Sequence, residues 1–170
     1  MTPEHTATDQ DLLSAAALTV FRLNGQFLAL AEELARPVGL TAARWQVLGA
    51  VLRGPLTVAG IARSMGITRQ SVQRLADILA DDGLVEYVAN PSHRRAKLVR
   101  VTDAGLTAVR RIDPAHAVAA RRLAGEAGHD ELARAVDALA ALSAALDAIT
   151  RAPAGDGAGA DADRAATGAE

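Results

Sequence analysis

The chain has 170 residues, of which half are hydrophobic and only 2% are aromatic. Ala and Leu supply much of the apolar content, and they favour helices because they lose little conformational freedom there. The length suits one compact domain with its own core and appended helices. The sequence contains no cysteine, which excludes disulfides, thiolate metal sites and thiol-based redox sensing.

Charge is spread unevenly along the chain. The formal net charge of −2 argues against a histone-like, nonspecific DNA binder. Residues 53–111, however, hold ten Arg or Lys against five Asp or Glu, a balance of +5 that leaves −7 for the remainder. A basic middle between acidic flanks is typical of a protein with one polyanion-binding face, although a solvated charged surface gives the same pattern.

The sequence predicts neither a membrane span nor a targeting signal. Apolar runs such as residues 12–21 are shorter than the stretch of about 20 residues that a bilayer requires. The polar, acidic N-terminus lacks the basic-then-apolar order of a signal peptide. We therefore expect a soluble, cytoplasmic protein.

Hydrophobic periodicity predicts two helices before the basic segment. Residues 1–9 have the character of a flexible tail, and residues 10–36 carry apolar side chains at spacings of three and four. This first helix is apolar over so much of its circumference that it needs more than one partner to bury it. Thr41 is expected to cap a second helix, residues 42–52. Three residues of that helix are expected to face inward: Trp45, Leu48 and Leu52.

The segment VAGIARSMGITRQSVQRL, residues 58–75, has the pattern of a helix-turn-helix. One helix is expected over residues 57–64 and the next over residues 68–82, with Ala62 small enough to let them touch. Gly66 can adopt the left-handed backbone conformation that the turn between them requires. Four apolar residues are expected to anchor the pair to the core: Ile61, Ile67, Val72 and Leu75.

The second helix of this motif has a polar face that suits the major groove of DNA. Arg binds guanine and Gln binds adenine through two hydrogen bonds each, and a helix N-terminus suits a phosphate. The candidate DNA-contacting residues are Thr68, Arg69, Gln70, Ser71, Gln73 and Arg74. An ordinary solvated helix face is the alternative.

After the second helix, the period of the sequence changes to that of a β-hairpin. Residues 84–88 and 98–101 are rich in β formers and flank the turn signal Asn90-Pro91. An arginine at the tip of such a hairpin can enter the minor groove, where the potential is most negative. The candidate tip residues are Ser92, His93, Arg94, Arg95 and Lys97. A basic turn that stays in water is the alternative.

Two further helices are predicted after the hairpin. The first covers residues 102–124 with Thr102 as its cap, and Pro114 is expected to kink or interrupt it. The second covers residues 130–150, whose apolar spacing is typical of a coiled coil. Residues 151–170 are mostly Ala, Gly and Asp, and we expect them to be disordered.

The middle of the chain, residues 38–105, resembles the core of the MarR (multiple antibiotic resistance regulator) family. The most specific pieces of the match are DDGLVE, residues 81–86, and RRAKLVRVTDAG, residues 94–105. The fold that this resemblance implies is mainly α with a small β-hairpin wing. A winged helix-turn-helix domain would lie between dimerisation helices at residues 10–37 and 106–150.

The resemblance also implies how the protein would act. Such proteins are obligate homodimers whose N- and C-terminal helices interlock and project two winged domains towards DNA. The second helix of the motif enters the major groove, and a wing-tip arginine, for which Arg94 is the match with Arg95 beside it, enters the minor groove. Where the family often has an acidic residue that braces the wing, this chain has His93.

Members of the family bind small-molecule effectors between the dimerisation helices and the DNA-binding domain. Residues of this chain that are candidates for such an effector pocket are Phe21, Phe27, Arg44, Trp45 and His116. Plain core packing is the alternative for the three aromatic residues. The four histidines are dispersed, so we expect no metal site. The sequence contains neither a nucleophile elbow nor a phosphate-binding glycine loop, so we expect no enzymatic activity and no cofactor.

The sequence thus predicts a dimeric regulator of transcription that binds double-stranded DNA at a pseudopalindromic operator, as a ligand-responsive repressor. A winged-helix module that dimerises and binds proteins without binding DNA is the alternative. A second alternative is the dimerisation and winged-helix part of a larger enzyme, such as a methyltransferase.

Overall fold

A computed structural model describes residues 7–93 and 95–151 of the chain. Its elements, in chain order, are α1 (Asp9–Ala35), a 3-10 turn (Arg36–Val38), α2 (Ala42–Val51), β1 (Leu56–Thr57), α3 (Val58–Met65), α4 (Arg69–Asp81), β2 (Val85–Val88), β3 (Leu98–Val101), α5 (Asp103–Ala127) and α6 (His129–Arg151). This order confirms the predicted fold class, mainly α with a small β wing. The predicted C-terminal tail, from residue 152 on, and residues 1–6 of the N-terminal one lie outside the described residues.

Threonine side chains start the helices of the central domain, as the sequence predicts. The hydroxyl oxygens of Thr41, Thr57 and Thr68 accept hydrogen bonds from backbone N–H groups three residues on, at 3.3, 3.0 and 3.1 Å. Each such cap stabilises its helix by about 1 kcal/mol. Thr8 caps α1 in the same way and exchanges hydrogen bonds with Asp11. The first helix therefore begins at Asp9, inside the segment predicted to be a tail.

The core of the winged-helix region is a single apolar cluster. Its largest fully buried side chains come from α2, α3, α4, β3 and α5: Leu48, Ile61, Leu79, Ile112, Val47, Val51, Val72 and Val99. The predicted inward positions of Leu52 and Ile67 are wrong, since each is 40% exposed. Leu52 is the C-cap of α2, where Val47 and Val51 already fill the inner side, and Ile67 lies in the turn before α4.

The predicted hairpin is part of a three-stranded antiparallel sheet in the order β1-β3-β2. The strand β1 was not predicted because only two residues form it. Glu86 lies opposite Arg100 on the exposed side of the hairpin, and the two side chains form an ion pair at 2.8 Å. Tyr87 pairs with the buried Val99 and so lies on the core side of the sheet.

The two sequence pieces that carry the MarR resemblance meet at one junction, where the wing joins α5. The Thr102 hydroxyl donates to the Gly83 carbonyl at 2.7 Å and accepts from the Gly105 N–H at 3.1 Å. The Thr102 N–H donates to the Leu84 carbonyl at 3.1 Å. A Cβ atom on Gly105 would lie only 2.1 Å from that same carbonyl oxygen, so only glycine fits there. This junction fixes the start of α5 against the wing.

The helix α5 continues through Pro114, so of the kink or interruption expected there the interruption is wrong, and the kink stays a prediction. Proline removes its own N–H from the helix hydrogen bonds and crowds the carbonyl four residues before it, but the bonds on either side continue the helix. The chain forms two compact units, one up to Ala119 and one from Ala120. In the second unit, α6 exposes apolar side chains at coiled-coil spacing: Val136, Leu139, Leu146 and Ile149.

The first helix exposes an unusually apolar surface. Its exposed residues include Leu12, Leu13, Leu18, Phe21 and Phe27. The segment Asp9–Val38 is long and apolar enough, by length and composition, to cross a membrane, although the sequence predicts no span. Core helices of soluble proteins and signal sequences pass the same test, so a single such helix is weak evidence for a membrane span.

Candidate nucleic-acid interface

The helix-turn-helix forms as the sequence predicts. Gly66 adopts a left-handed conformation with φ of +64°, which ends α3 and redirects the chain towards α4. Ala62 is buried, as expected for the small residue that lets α3 and α4 pack closely. The Thr68 hydroxyl then caps α4 and hydrogen bonds the Ser71 hydroxyl at 2.8 Å.

The two sides of α4 have opposite character. Val72, Ala76 and Leu79 are fully buried and fix the helix to the core. The six predicted DNA-contacting residues of this helix and its cap are all exposed: Thr68, Arg69, Gln70, Ser71, Gln73 and Arg74. Because the apolar side is fixed by packing, the polar side has a defined orientation towards solvent.

A cleft of about 700 Å³ lies between α4 and the wing. Its lining combines the start of α3, the polar side of α4 and the wing: Thr57, Val58, Ala59, Arg69, Gln70, Gln73, Tyr87, Arg95, Ala96 and Lys97. Three of these residues are cationic and none of them is acidic. Residues 26 or more positions apart in the sequence, such as Arg69 and Arg95, thus face one concave, positively charged surface. Arg74 is exposed beside this lining, and Arg94 lies outside the described residues.

The wing tip is shaped by Asn90. Its side-chain oxygen accepts from the Ser92 N–H at 3.0 Å, and its carbonyl accepts from the His93 N–H at 3.3 Å. The His93 carbonyl in turn accepts from the Ala96 N–H at 3.1 Å. Ser92, His93, Arg95 and Lys97 are all exposed around this turn. Local hydrogen bonds therefore fix the described part of the turn, and its polar side chains are exposed.

A polar triangle connects α4 to strand β2. The Gln73 side-chain nitrogen donates to Asp77 Oδ1 at 2.8 Å and to the Tyr87 hydroxyl at 2.8 Å, and that hydroxyl donates to Asp77 Oδ1 at 2.7 Å. Burial, followed by the hydrogen bond to Asp77, raises the pKa of Tyr87 to about 12. The phenol therefore stays protonated and continues to donate even at pH values where an ordinary tyrosine has begun to ionise.

Sequence reasoning missed the role of Tyr87. The available signal is strand alternation, which places this residue on the same side of β2 as the buried Val85. A phenol on a core-facing side needs a hydrogen-bond partner. That partner belongs to another element, so the sequence gives no direct sign of it.

The five candidate effector residues do not gather in one described cleft. Arg44 pairs with Asp82 and lines a cleft of about 550 Å³, together with Thr107 and Arg111. Its Nε atom is buried without a hydrogen-bond partner among the described residues. The Trp45 ring packs edge-on against the His116 ring, with centroids 5.7 Å apart, and also contacts the core.

The other two candidates, Phe21 and Phe27, are 71% and 53% exposed on α1. Neither phenylalanine packs in the core of the single chain, so the alternative of plain core packing is wrong for both. Trp45, in contrast, packs against the core. Within residues 7–93 and 95–151, no group of three or more His, Asp or Glu residues has the geometry to hold a metal ion.

Known proteins share both the sequence and the fold. The sequence profile of the MarR family matches residues 38–96. An uncharacterized protein of Mycobacterium tuberculosis is 36% identical over 138 residues, which cover 81% of this chain and 96% of that protein.

Solved structures agree with the sequence matches. The crystal structure of a MarR-family regulator from Rhodococcus sp. RHA1 is 25% identical, with a TM-score of 0.64 over 79% of this chain and 96% of the other. CouR from Rhodococcus jostii RHA1, solved with p-coumaroyl-CoA bound, shares the fold with a TM-score of 0.63 at 24% identity, over 82% of this chain and 95% of CouR. With the helix-turn-helix, the wing and their junction all in place, this chain belongs to the MarR family of transcription regulators.

Proposed function

We propose that this protein is a cytoplasmic, homodimeric repressor that binds a pseudopalindromic DNA operator and releases it on binding a small ligand. The observation that supports DNA binding best is the cleft in which Arg69 on α4 and Arg95 and Lys97 on the wing face the same space. Clustered cations on a concave surface repel one another unless a polyanion neutralises them. The surface offers no catalytic constellation among the described residues, and we propose no enzymatic activity.

The basic and polar residues of α4 and the wing divide between two tasks. Arg69, Gln70 and Arg74 are exposed on the helix that would enter the major groove, where arginine and glutamine distinguish base edges. Arg95 and Lys97 would contact phosphates and the minor groove. Arg94, which lies outside the described residues, is proposed for the same task. Base contacts would set the preferred sequence, whereas phosphate contacts would set the affinity and its dependence on salt.

Apolar surfaces on two helices support the homodimer. In the single chain α1 exposes large apolar side chains such as Phe21, and α6 exposes others such as Leu139 and Ile149. A monomer rarely leaves so much apolar area in water, so a second copy of the chain is the expected cover. Two recognition helices related by a twofold axis would read half-sites about 34 Å apart.

Ligand response is supported by the cleft that holds Arg44 and Arg111. It has room for a small molecule, and Arg44 and Arg111 supply positive charge to its lining. The related CouR was solved with p-coumaroyl-CoA bound. A ligand that binds better to a dimer with the wrong spacing of recognition helices would shift the population away from DNA.

Duplex binding at several salt concentrations tests the proposal. For a mixed-sequence duplex, the logarithm of the affinity should fall linearly with the logarithm of the salt concentration, by about 0.9 for each phosphate neutralised. Arg95→Ala and Lys97→Ala should each reduce that slope by about one. Arg121→Ala, which removes the same charge from an exposed position of α5, should leave it unchanged.

The same measurement separates the alternative function. A winged-helix module that binds only proteins would show no salt-dependent duplex binding at all. Equal effects of Arg95→Ala and Arg121→Ala would instead show that the cleft is not the DNA-binding surface.

A further inference from the structure

The polar triangle of Gln73, Asp77 and Tyr87 lies at the proposed DNA-binding surface, and the role considered for it rests on that proposed function. Gln73 lines the cleft, and its side chain is held by two described partners at once. One partner comes from its own helix and the other from the wing strand β2. The triangle therefore joins the two elements that would approach DNA together.

The orientation of the Gln73 amide follows from the chemistry of its partners. An ionised carboxylate only accepts hydrogen bonds, so the amide atom 2.8 Å from Asp77 Oδ1 must be the NH₂ nitrogen. The single Tyr87 proton goes to the same carboxylate oxygen, which leaves the phenol oxygen to accept from Gln73. Turning the amide by 180° would place its carbonyl oxygen against the carboxylate, where the two acceptors repel.

The carbonyl oxygen of Gln73 is left for an external donor. It accepts no hydrogen bond from the residues that the structure describes, and the side chain is exposed in the cleft. In the major groove, adenine and cytosine each present an amino group, whereas guanine and thymine present acceptors at the corresponding edge. A fixed carbonyl oxygen therefore distinguishes the amino bases from the keto bases.

We propose that Asp77 and Tyr87 are positioning residues that hold Gln73 so that it reads the amino group of adenine or cytosine at one position of each half-site. Without them the amide can turn over and offer its NH₂ group to guanine or thymine. Gln73 is then the specificity-determining residue, and the wing strand acts on base choice through it without touching the base.

Selection from a randomised duplex library, followed by sequencing, tests the proposal with the full chain and needs no known operator. Wild type should prefer adenine or cytosine over guanine or thymine by about fivefold at one position per half-site, the value of one hydrogen bond. Tyr87→Phe, which keeps the ring and removes the hydroxyl, should reduce that preference to less than about twofold. Preferences at other positions should stay as in wild type.

Two further variants separate positioning from a general structural effect. In a Gln73→Ala background, Tyr87→Phe should change no base preference, because the residue through which it acts is gone. Asp77→Ala changes an exposed helical position and should give the same loss of preference as Tyr87→Phe. If Tyr87→Phe does not fold, this second variant still gives the answer.

The outcomes distinguish the inference from the function on which it rests. A wild-type protein that enriches no sequence would overturn the proposed function. A protein that enriches a defined sequence, but whose base preferences are the same with Gln73→Ala or with Asp77→Ala, would overturn the inference alone. A uniform loss of affinity without a change in base preference would also overturn it.

Discussion

Replacing Gly105 by alanine should loosen the junction between the wing and α5. The added Cβ would lie 2.1 Å from the Leu84 carbonyl oxygen and 2.8 Å from a Val101 methyl group, so the backbone must separate by about 1 Å. That shift weakens the two hydrogen bonds of the Thr102 hydroxyl, which contribute about 1 kcal/mol each. With strained packing added, we expect the free energy of unfolding to fall by about 2–4 kcal/mol.

Thermal and urea denaturation, followed by circular dichroism, would measure this loss. Gly49→Ala is the matched control, because Gly49 is also helical and a Cβ there meets nothing within 4 Å. Alanine should stabilise that position by about 0.5–1 kcal/mol through its higher helix propensity. If Gly105→Ala were as stable as wild type, the close approach to Leu84 would not exist and the account of the junction would be wrong.

Three further predictions concern the site and the assembly. Tyr87 is the only tyrosine of the chain, so phenolate absorbance should titrate near pH 12 in the folded protein. Folding favours the neutral phenol, because the pKa of Tyr87 is higher in the folded state than in the unfolded one. Its contribution to stability should therefore be complete below about pH 10 and lost as the pH rises through about 12. A pKa near 10 in the folded protein would contradict the triangle. Phe21→Asp should shift sedimentation towards the monomer, whereas Gln26→Asp, about 140° away around α1, should not; equal effects would exclude that face as the interface. Arg100→Ala removes an exposed cross-strand pair and should cost less than about 1 kcal/mol in denaturation, with a larger loss pointing to a buried role.

Local chemistry explains which parts of the fold could be predicted. The threonine caps and the left-handed Gly66 depend on residues within a few positions, so their signals are contained in short segments. Predicted burial was wrong at Leu52 and Ile67, where the chain leaves a helix and periodicity no longer applies. The strand β1 forms only because β3 offers it hydrogen bonds from more than 40 residues away.

The candidate site, like the fold, could be predicted only where local patterns determine it. The exposed polar side of α4 follows from helical periodicity, because Val72 and Leu79 fix the opposite side in the core. The contact of Gln73 with Tyr87 joins residues 14 positions apart in different elements, and no local pattern encodes it. The need for glycine at 105 likewise arises from the approach of a distant carbonyl. Tertiary contacts of this kind decide how a predicted surface is oriented.

Cleavage of DNA from tethered chelates tests the central claim most directly, namely that α4 and the wing approach one duplex together. Because the chain has no cysteine, Gln70→Cys and Lys97→Cys each provide a single site for an iron chelate that cuts nearby DNA. We predict cuts in the major groove from Gln70→Cys and in the adjacent minor groove from Lys97→Cys, with both patterns repeated about 10 base pairs away. Even cleavage along the duplex, or the same cuts from a chelate on Arg121→Cys, would contradict the claim.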